Sequence, residues 1–293
     1  MNNRVAAGQS RADAGDRPDR FFNKRRKNMK FAIIGAGNMG GALARGLAKG
    51  SLVEASDITV ADPSREKTDA LLKDFPEMKI ARGNKEAVRG ADVVLFAVKP
   101  WLLQEVIEDV KDVLDYDNQA VISIAGGIGT AQLCQYLDRG DGEFPAVYYL
   151  IPNTAVAVME GMTFITSVCS TPEMDAQILA IFKEMGDAML VDERLVGAGM
   201  ALSSCGIAYV MRYIRAATEG GVELGFYARD AQRVMMQTMK GAVALLAEGG
   251  QHPEEEIDKV TTPGGLTIRG LNAMEEAGFT QSVIKGLRAS LKK

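Results

Sequence analysis

Apolar positions along the chain follow two patterns, and the change between them falls near residue 191. From Phe31 onward, short runs rich in β-branched residues alternate with longer stretches of helical periodicity. The runs predict strands at 30–34, 57–61, 78–82, 93–97, 119–124, 146–150, 162–168 and 187–191. The stretches between them predict helices at 39–50, 64–74, 84–90, 102–114, 129–138 and 173–185. Such alternation implies an α/β unit with a parallel sheet, right-handed crossovers and helices on both faces. An unbroken run such as Val93-Val94-Leu95-Phe96-Ala97 suits a strand buried on both sides. After Asp192 no convincing strand appears. Helices are predicted over 192–219, 229–249, 254–261, 266–277 and 280–291.

The stretch 195–211 carries no charge. A membrane span needs about 20 apolar residues. Here Arg194 and Arg212 bracket 17, and small residues with Ser203 and Ser204 interrupt them. A helix apolar on every side in a soluble protein belongs to a core. A helical domain this small cannot cover it alone, which predicts a homodimer formed through 192–293.

The amino-terminal 28 residues break both patterns. They hold eight Lys or Arg against three Asp, a net +5 that ends in Lys24-Arg25-Arg26-Lys27, and the remainder of the chain carries −9. The arm reads as a disordered basic extension. It has no apolar segment for secretion, and Asp13, Asp16 and Asp19 argue against a transit peptide. The expected organisation is therefore 1–28, then a nucleotide-binding domain over 29–191, then a helical domain over 192–293. The acidic body argues against nucleic acid as the main partner. Three cysteines without metal-ligand spacing, and one histidine, argue for a reducing cytosol and against zinc or a Ser-His-Asp triad.

The densest candidate chemistry is Gly35-Ala36-Gly37-Asn38-Met39-Gly40, a GxGxxG spacing between a predicted strand and a predicted helix. In that context Gly35 allows a tight turn, Gly37 lets a pyrophosphate reach the backbone, and Gly40 lets helix pack close to strand. The helix start offers unpaired N–H groups and a positive dipole end. The second strand ends at Asp62-Pro63-Ser64-Arg65, 22 residues past Gly40. An acid there suits the adenosine ribose hydroxyls of NAD, while Ser64 and Arg65 suit a 2′-phosphate. Asp62 and Ser64 also suit plain helix capping. The cofactor is therefore NADPH or NADH. Ala97-Val98-Lys99-Pro100 and Ile124-Ala125-Gly126-Gly127 follow further strands, at the sheet end where such folds bind ligands.

A second glycine-led helix start lies at Val260-Thr261-Thr262-Pro263-Gly264-Gly265-Leu266-Thr267-Ile268. Its N–H groups at Gly265, Leu266 and Thr267 would suit a carboxylate. A capped loop without a ligand is the competing reading. His252, before Pro253, reads as a helix entry, and Tyr209 as a packed tyrosine with its hydroxyl satisfied.

GAGNMG, Ala97-Val98-Lys99-Pro100-Trp101, Ile151-Pro152-Asn153-Thr154 and the segment 260–279 occur in this order. Together they resemble the pyrroline-5-carboxylate reductase family over roughly 29–293. The resemblance implies a Rossmann-type doubly wound sheet followed by an all-helical dimerisation domain. It implies interleaved dimers, a larger ring of dimers, an active site to which both domains and both subunits contribute, and a cytoplasmic enzyme. The implied reaction reduces the cyclic imine (S)-1-pyrroline-5-carboxylate to L-proline with NADPH or NADH, the last step of proline biosynthesis. Carried over by position, 35–40 would bind pyrophosphate, and Asp62, Ser64 and Asn84 would lie beside the adenosine. Ala97 to Pro100 and Ile124 to Gly126 would line the path to the nicotinamide. Glu193, Lys259, Thr262, Gly265, Leu266 and Thr267 would surround the substrate, with the Thr267 hydroxyl on the ring nitrogen. No metal is implied.

The chain departs from the family where Ser-Gly-Ser-Gly-Pro-Ala-Tyr becomes Ser203-Ser204-Cys205-Gly206-Ile207-Ala208-Tyr209, and where Asn-Thr-Pro-Ala becomes Asn153-Thr154-Ala155-Val156. Two other readings stand beside this one. A β-hydroxyacid dehydrogenase would use a lysine on the long central helix, and 195–211 has none. A nucleotide-binding paralogue without catalysis would rest on the altered 203–209 stretch.

Overall fold

A computed structural model describes residues 29–291, so the expectation for the basic arm 1–28 lies outside the described residues. The chain divides into two compact units that meet between Ser204 and Cys205. This is later than the change of pattern at 191. The helix that begins at Glu193 belongs to the first unit through its opening turns. Val196 is buried there, and a Cβ on Gly199 would stand 2.7 Å from the Phe164 ring. Burial, rather than helical periodicity, sets the division.

The first unit is built on one eight-stranded sheet in the order β3-β2-β1-β4-β5-β6-β7-β8. The strands are β1 Phe31–Ile34, β2 Ile58–Ala61, β3 Lys79–Ile80, β4 Val93–Phe96, β5 Ala120–Ser123, β6 Ala146–Ile151, β7 Gly161–Val168 and β8 Gly186–Leu190. All eight lie where the apolar runs predict them. Six are parallel, but β7 runs antiparallel to β6, with β8 parallel to β7. This corrects the expectation of a wholly parallel sheet. Only residues 152–160 join β6 to β7, and they form a short 3₁₀ turn, Thr154–Val158. A parallel return needs a crossover of a dozen or more residues, so the chain can only double back.

Alternate strand residues feed two cores, as a period of two requires. Phe31, Ile33, Val93, Leu95 and Ile122 face one core with α1 (Asn38–Lys49) and α6 (Pro172–Lys183). Ala32, Ile34, Val94, Phe96 and Val121 face the other with α4 (Pro100–Val110) and α5 (Thr130–Leu137). The remaining helices of this unit are α2 (Arg65–Asp74) and α3 (Asn84–Val88). Each strand of the central four is buried along its whole length. Those strands therefore hold the turns at their carboxyl ends on a rigid base.

The predicted helix 192–219 is not one uniform α-helix. It opens as α7 (Glu193–Gly199), widens to a π turn over Met200–Cys205 and continues as α8 (Gly206–Glu223). The Ser203 hydroxyl donates to Met162 O at 3.2 Å and accepts from Asn153 Nδ2 at 3.1 Å. Those bonds tie the side chain of the wide turn to the sheet, a common setting for a π bulge.

The second unit contains α8, α9 (Ala228–Gly249), α10 (Pro253–Lys259), α11 (Leu266–Glu276) and α12 (Phe279–Ala289). α8 and α9 pack as a hairpin so close that a Cβ on Gly221 would stand 2.8 Å from the Ala231 methyl. Tyr213 meets Phe279 edge to face, with ring centroids 6.2 Å apart. The Tyr209 hydroxyl bonds Ser290 Oγ at the C-cap of α12, so it is satisfied, although the ring is not a core side chain. Among the described residues of this unit only Gly206 and Ala231 are buried. Leu202, Val210 and Met211 of the uncharged stretch are exposed. Within one chain Val196, Gly199, Ala201 and Ser203 of that stretch are buried, and its later part, 208–211, is surface.

Candidate functional site

The glycine turn connects β1 to α1, and each glycine has a separate reason to lack a side chain. Gly35 sits at φ 103°, a left-handed conformation that favours glycine, and its N–H donates to Ala61 O at 2.8 Å. A Cβ there would also stand 2.6 Å from Ala97 O. At Gly40 a Cβ would overlap the Gly35 carbonyl oxygen and come within 2.8 Å of the Ala97 methyl. At Gly37 a Cβ would meet nothing within 4 Å. That glycine faces open space, where an added methyl would occupy room a ligand needs.

α1 begins at Asn38 with Gly37 as its N-cap, no side-chain cap and no acidic residue in its first turn. Its first N–H groups are therefore available to an anion. A cleft of about 420 Å³ opens beside Gly37 and Asn38, with Lys67 and Thr154 on its walls. These are the features a pyrophosphate cradle requires, so the residues fit a dinucleotide.

Asp62 lies against this turn. Its Oδ2 accepts from the Ala36 N–H at 2.6 Å and its Oδ1 from the Ser64 N–H at 2.8 Å. Lys67 Nζ stands 3.7 Å from Oδ1, and the Asp62 side chain is 6% exposed. Ser64 occupies the N-cap position of α2, yet its hydroxyl makes no capping bond. Asp62 and Ser64 thus come together with the glycine turn as the spacing predicts.

Two of the other strand-end turns also converge here. Ala97 N–H donates to Ile34 O at 2.8 Å, placing 97–100 beside the glycine turn. Lys99 is the N-cap of α4 and Pro100 its first residue, which starts that helix earlier than the predicted 102. Ile124 N–H donates to Phe96 O at 3.2 Å, so 124–126 follows in the next position. Asn84 starts α3, and its side chain donates to Asp109 at 3.2 Å.

Glu193 is engaged at a different place from the one expected of it. Its carboxylate accepts from Thr130 N–H at 2.8 Å and from the Thr130 hydroxyl at 2.5 Å. It caps the start of α5 from across the sequence, as an acid at a helix amino end should. The local sequence Gly129-Thr130 offers no acid of its own, which is the one signal that a distant cap was needed. Tyr149 is a further residue that spacing did not single out. Its hydroxyl accepts from Gly127 N–H at 3.0 Å and fixes the turn after β5, while burial pushes its ionisation up.

In the second unit, Pro263-Gly264-Gly265 ends at the N-cap of α11. Gly264 takes φ 69°. Gly265 N–H donates to Thr262 O at 2.9 Å, so it closes the turn and is not available to a ligand, contrary to expectation. The N–H groups of Leu266 and Thr267 remain at a helix start with no side-chain cap and no acidic residue in its first turn. Leu266 is 84% exposed. Lys259 Nζ binds Gln251 Oε1 at 2.5 Å and Glu256 Oε1 at 2.6 Å. His252 Nδ1 accepts from Glu254 N–H at 3.3 Å, and the residue serves as the N-cap of α10, the structural role expected of it.

Known proteins resemble the chain in both units. Residues 193–293 match a family model described as pyrroline-5-carboxylate reductase dimerisation, and residues 30–127 match one described as NADP oxidoreductase, coenzyme F420-dependent. A pyrroline-5-carboxylate reductase of Dictyostelium discoideum is 34% identical, over 92% of this chain and 93% of that protein. That of Escherichia coli is 32% identical, over 90% of this chain and 96% of the other. The crystal structure of the Plasmodium falciparum pyrroline carboxylate reductase with NADP bound superposes with a TM-score of 0.81 at 26% identity. It covers 90% of this chain and 96% of that one.

Proposed function

The chain belongs to the pyrroline-5-carboxylate reductase family, and from that premise we propose that it reduces (S)-1-pyrroline-5-carboxylate to L-proline with NADPH or NADH. The observation that carries the reading is the family match over most of the chain, and each unit by itself also offers a glycine-led helix start without a side-chain cap. One suits a pyrophosphate and the other a carboxylate.

The bound cofactor supplies a hydride from nicotinamide C4 to the imine carbon C5 and is itself oxidised. The chain orients the two partners and keeps water out. The α1 N–H groups and Gly37 hold the pyrophosphate, while Ala97 to Pro100 and Ile124 to Gly126 line the route to the nicotinamide. The N–H groups of Leu266 and Thr267 hold the substrate carboxylate, beside Thr262. The Thr267 hydroxyl hydrogen-bonds the ring nitrogen, which carries its proton on arrival. No strong general acid is required, in keeping with a chain whose single histidine caps a helix. The resemblance implies Lys259 and Glu193 at the substrate, but here they hold Gln251 with Glu256, and Thr130, respectively. We assign both to support of the site rather than to contact with the imine.

We further propose a homodimer whose second copy covers the apolar helical surface, dimers assembling into a larger ring, and a cytoplasmic location. The match to a dimerisation model supports the dimer, and the low cysteine count supports a reducing compartment.

The test is oxidation of NADH and NADPH, followed at 340 nm, with pyrroline-5-carboxylate present. Thr267→Val is expected to lower kcat by about tenfold or more, as loss of one oriented hydrogen bond does, while cofactor affinity stays unchanged. Full turnover in that variant removes the hydroxyl's role. Cofactor binding by the native chain without imine reduction favours the non-catalytic reading, which rests on the altered 203–209 stretch.

A further inference from the structure

The sequence leaves Asp62 with Ser64 and Arg65 as rival determinants, one suited to a free ribose and the other to a 2′-phosphate. The structure separates them. Asp62 is locked against the glycine turn: one oxygen accepts from Ala36 N–H at 2.6 Å, the other from Ser64 N–H at 2.8 Å, and the side chain is almost wholly enclosed. The carboxylate cannot swing aside, because doing so would strip two backbone donors of their acceptor. Ala36 lies between the first two glycines, so a pyrophosphate held by this turn brings the adenosine ribose to the end of β2, beside this carboxylate.

We infer that Asp62 makes this chain prefer NADH over NADPH. A carboxylate has about four acceptor positions, and backbone donors take two of them. A ribose 2′-hydroxyl can donate to one of the others. A 2′-phosphate has no hydrogen to give there and would place like charge against a fixed carboxylate. Lys67 Nζ stands 3.7 Å from Oδ1, and the carboxylate keeps its two backbone donors beside it. Arg65, at the first position of α2, could grip a phosphate but could not remove the carboxylate from its path. NADP is named in the description of the family model that residues 30–127 match and in a structure of another chain, and neither carries the geometry of Asp62 in this turn. The inference rests on this turn being the dinucleotide site, and not on the identity of the imine.

The test is direct titration of the purified chain with NADH and with NADPH, followed by the fluorescence of the reduced nicotinamide at one ionic strength, without substrate. NADH is expected to bind at least about tenfold more tightly, the scale of a hydrogen bond to a charged group. Asp62→Ser is expected to shift the ratio of the two dissociation constants toward NADPH by about tenfold or more, and Asp62→Asn by less in the same direction. The asparagine variant keeps the side-chain shape and an acceptor for Ala36 N–H, so it reads the charge even if the serine variant folds poorly. Equal or tighter binding of NADPH by the native chain would overturn the inference. So would an unchanged ratio in folded Asp62→Asn and Asp62→Ser. Binding of neither nucleotide would overturn it together with the dinucleotide reading. Nucleotide binding without imine reduction would count against the reductase alone, and the measured ratio would still decide this inference.

Discussion

Gly37 and Gly40 are three residues apart, and their missing side chains serve opposite ends. Around Gly37 there is space, so Gly37→Ala is expected to cost no more than about 1 kcal/mol, the scale of a poorer N-cap residue. It should weaken nucleotide binding by about tenfold or more, because the methyl occupies the approach to the backbone. At Gly40 the methyl would collide with backbone oxygen, so Gly40→Ala is expected to destabilise the fold by about 1–3 kcal/mol or more. Thermal melting and nucleotide titration of both variants check the contrast. Cys134 shows the same dependence on surroundings. Burial pushes its thiol up to about 11, so the reactive thiolate is scarce at pH 8. Iodoacetamide at that pH is expected to spare Cys134 in the folded chain and to modify it after unfolding, as mass spectrometry of peptides would record.

At the level of elements, the ends of helices carry most of the chemistry. α1 and α11 each begin after a glycine that contributes no capping side chain. α5 also begins after a glycine, yet Glu193 fills its vacancy. An uncapped glycine start is not by itself a binding site, since α12 begins after Gly278 in the same way. Glu193→Ala is expected to cost about 1–2 kcal/mol of stability, in the range of a lost cap, with the KM for the imine unchanged. A rise in that KM without any loss of stability would return Glu193 to the substrate. The spacing of Glu193 to its helix was visible along the chain, but its partner lies 63 residues away. No local pattern carries that information. The turn between β6 and β7 was more legible than the parallel expectation allowed, since no helix candidate separates those two runs.

For the whole molecule, the two units differ in how much of themselves they bury. The sheet unit holds two complete cores. The helical unit buries almost nothing, and Tyr227 at 85% and Leu245 at 59% exposure illustrate what it leaves to water. A surface of that kind marks an interface, and a second copy of the same chain is the proposed cover. α9 carries Val243 and Leu245 outward. Val243→Glu combined with Leu245→Glu is expected to convert a dimer into monomers by light scattering, and to make 205–291 the first region cut by protease. The native chain should melt at a temperature that rises with protein concentration, because the proposed dimer binds the folded chain and not the unfolded one.

Much of this is determined by the sequence alone. Strand and helix positions follow from local periodicity, and the tight turn at Gly35 to Gly40 follows from its spacing, although its crowding also involves Ala97 far along the chain. The Pro-Gly-Gly helix start is legible for the same reason. Tertiary structure decided the rest. It turned β7 antiparallel through a connection too short to cross over. It opened a π turn where Ser203 reached back to Asn153 and Met162, and it drew Glu193 to Thr130 and Asp62 to Ala36. Apart from the short turn into β7, each of those outcomes joins groups far apart along the chain, and only a particular packing of the sheet brings them within hydrogen-bonding range.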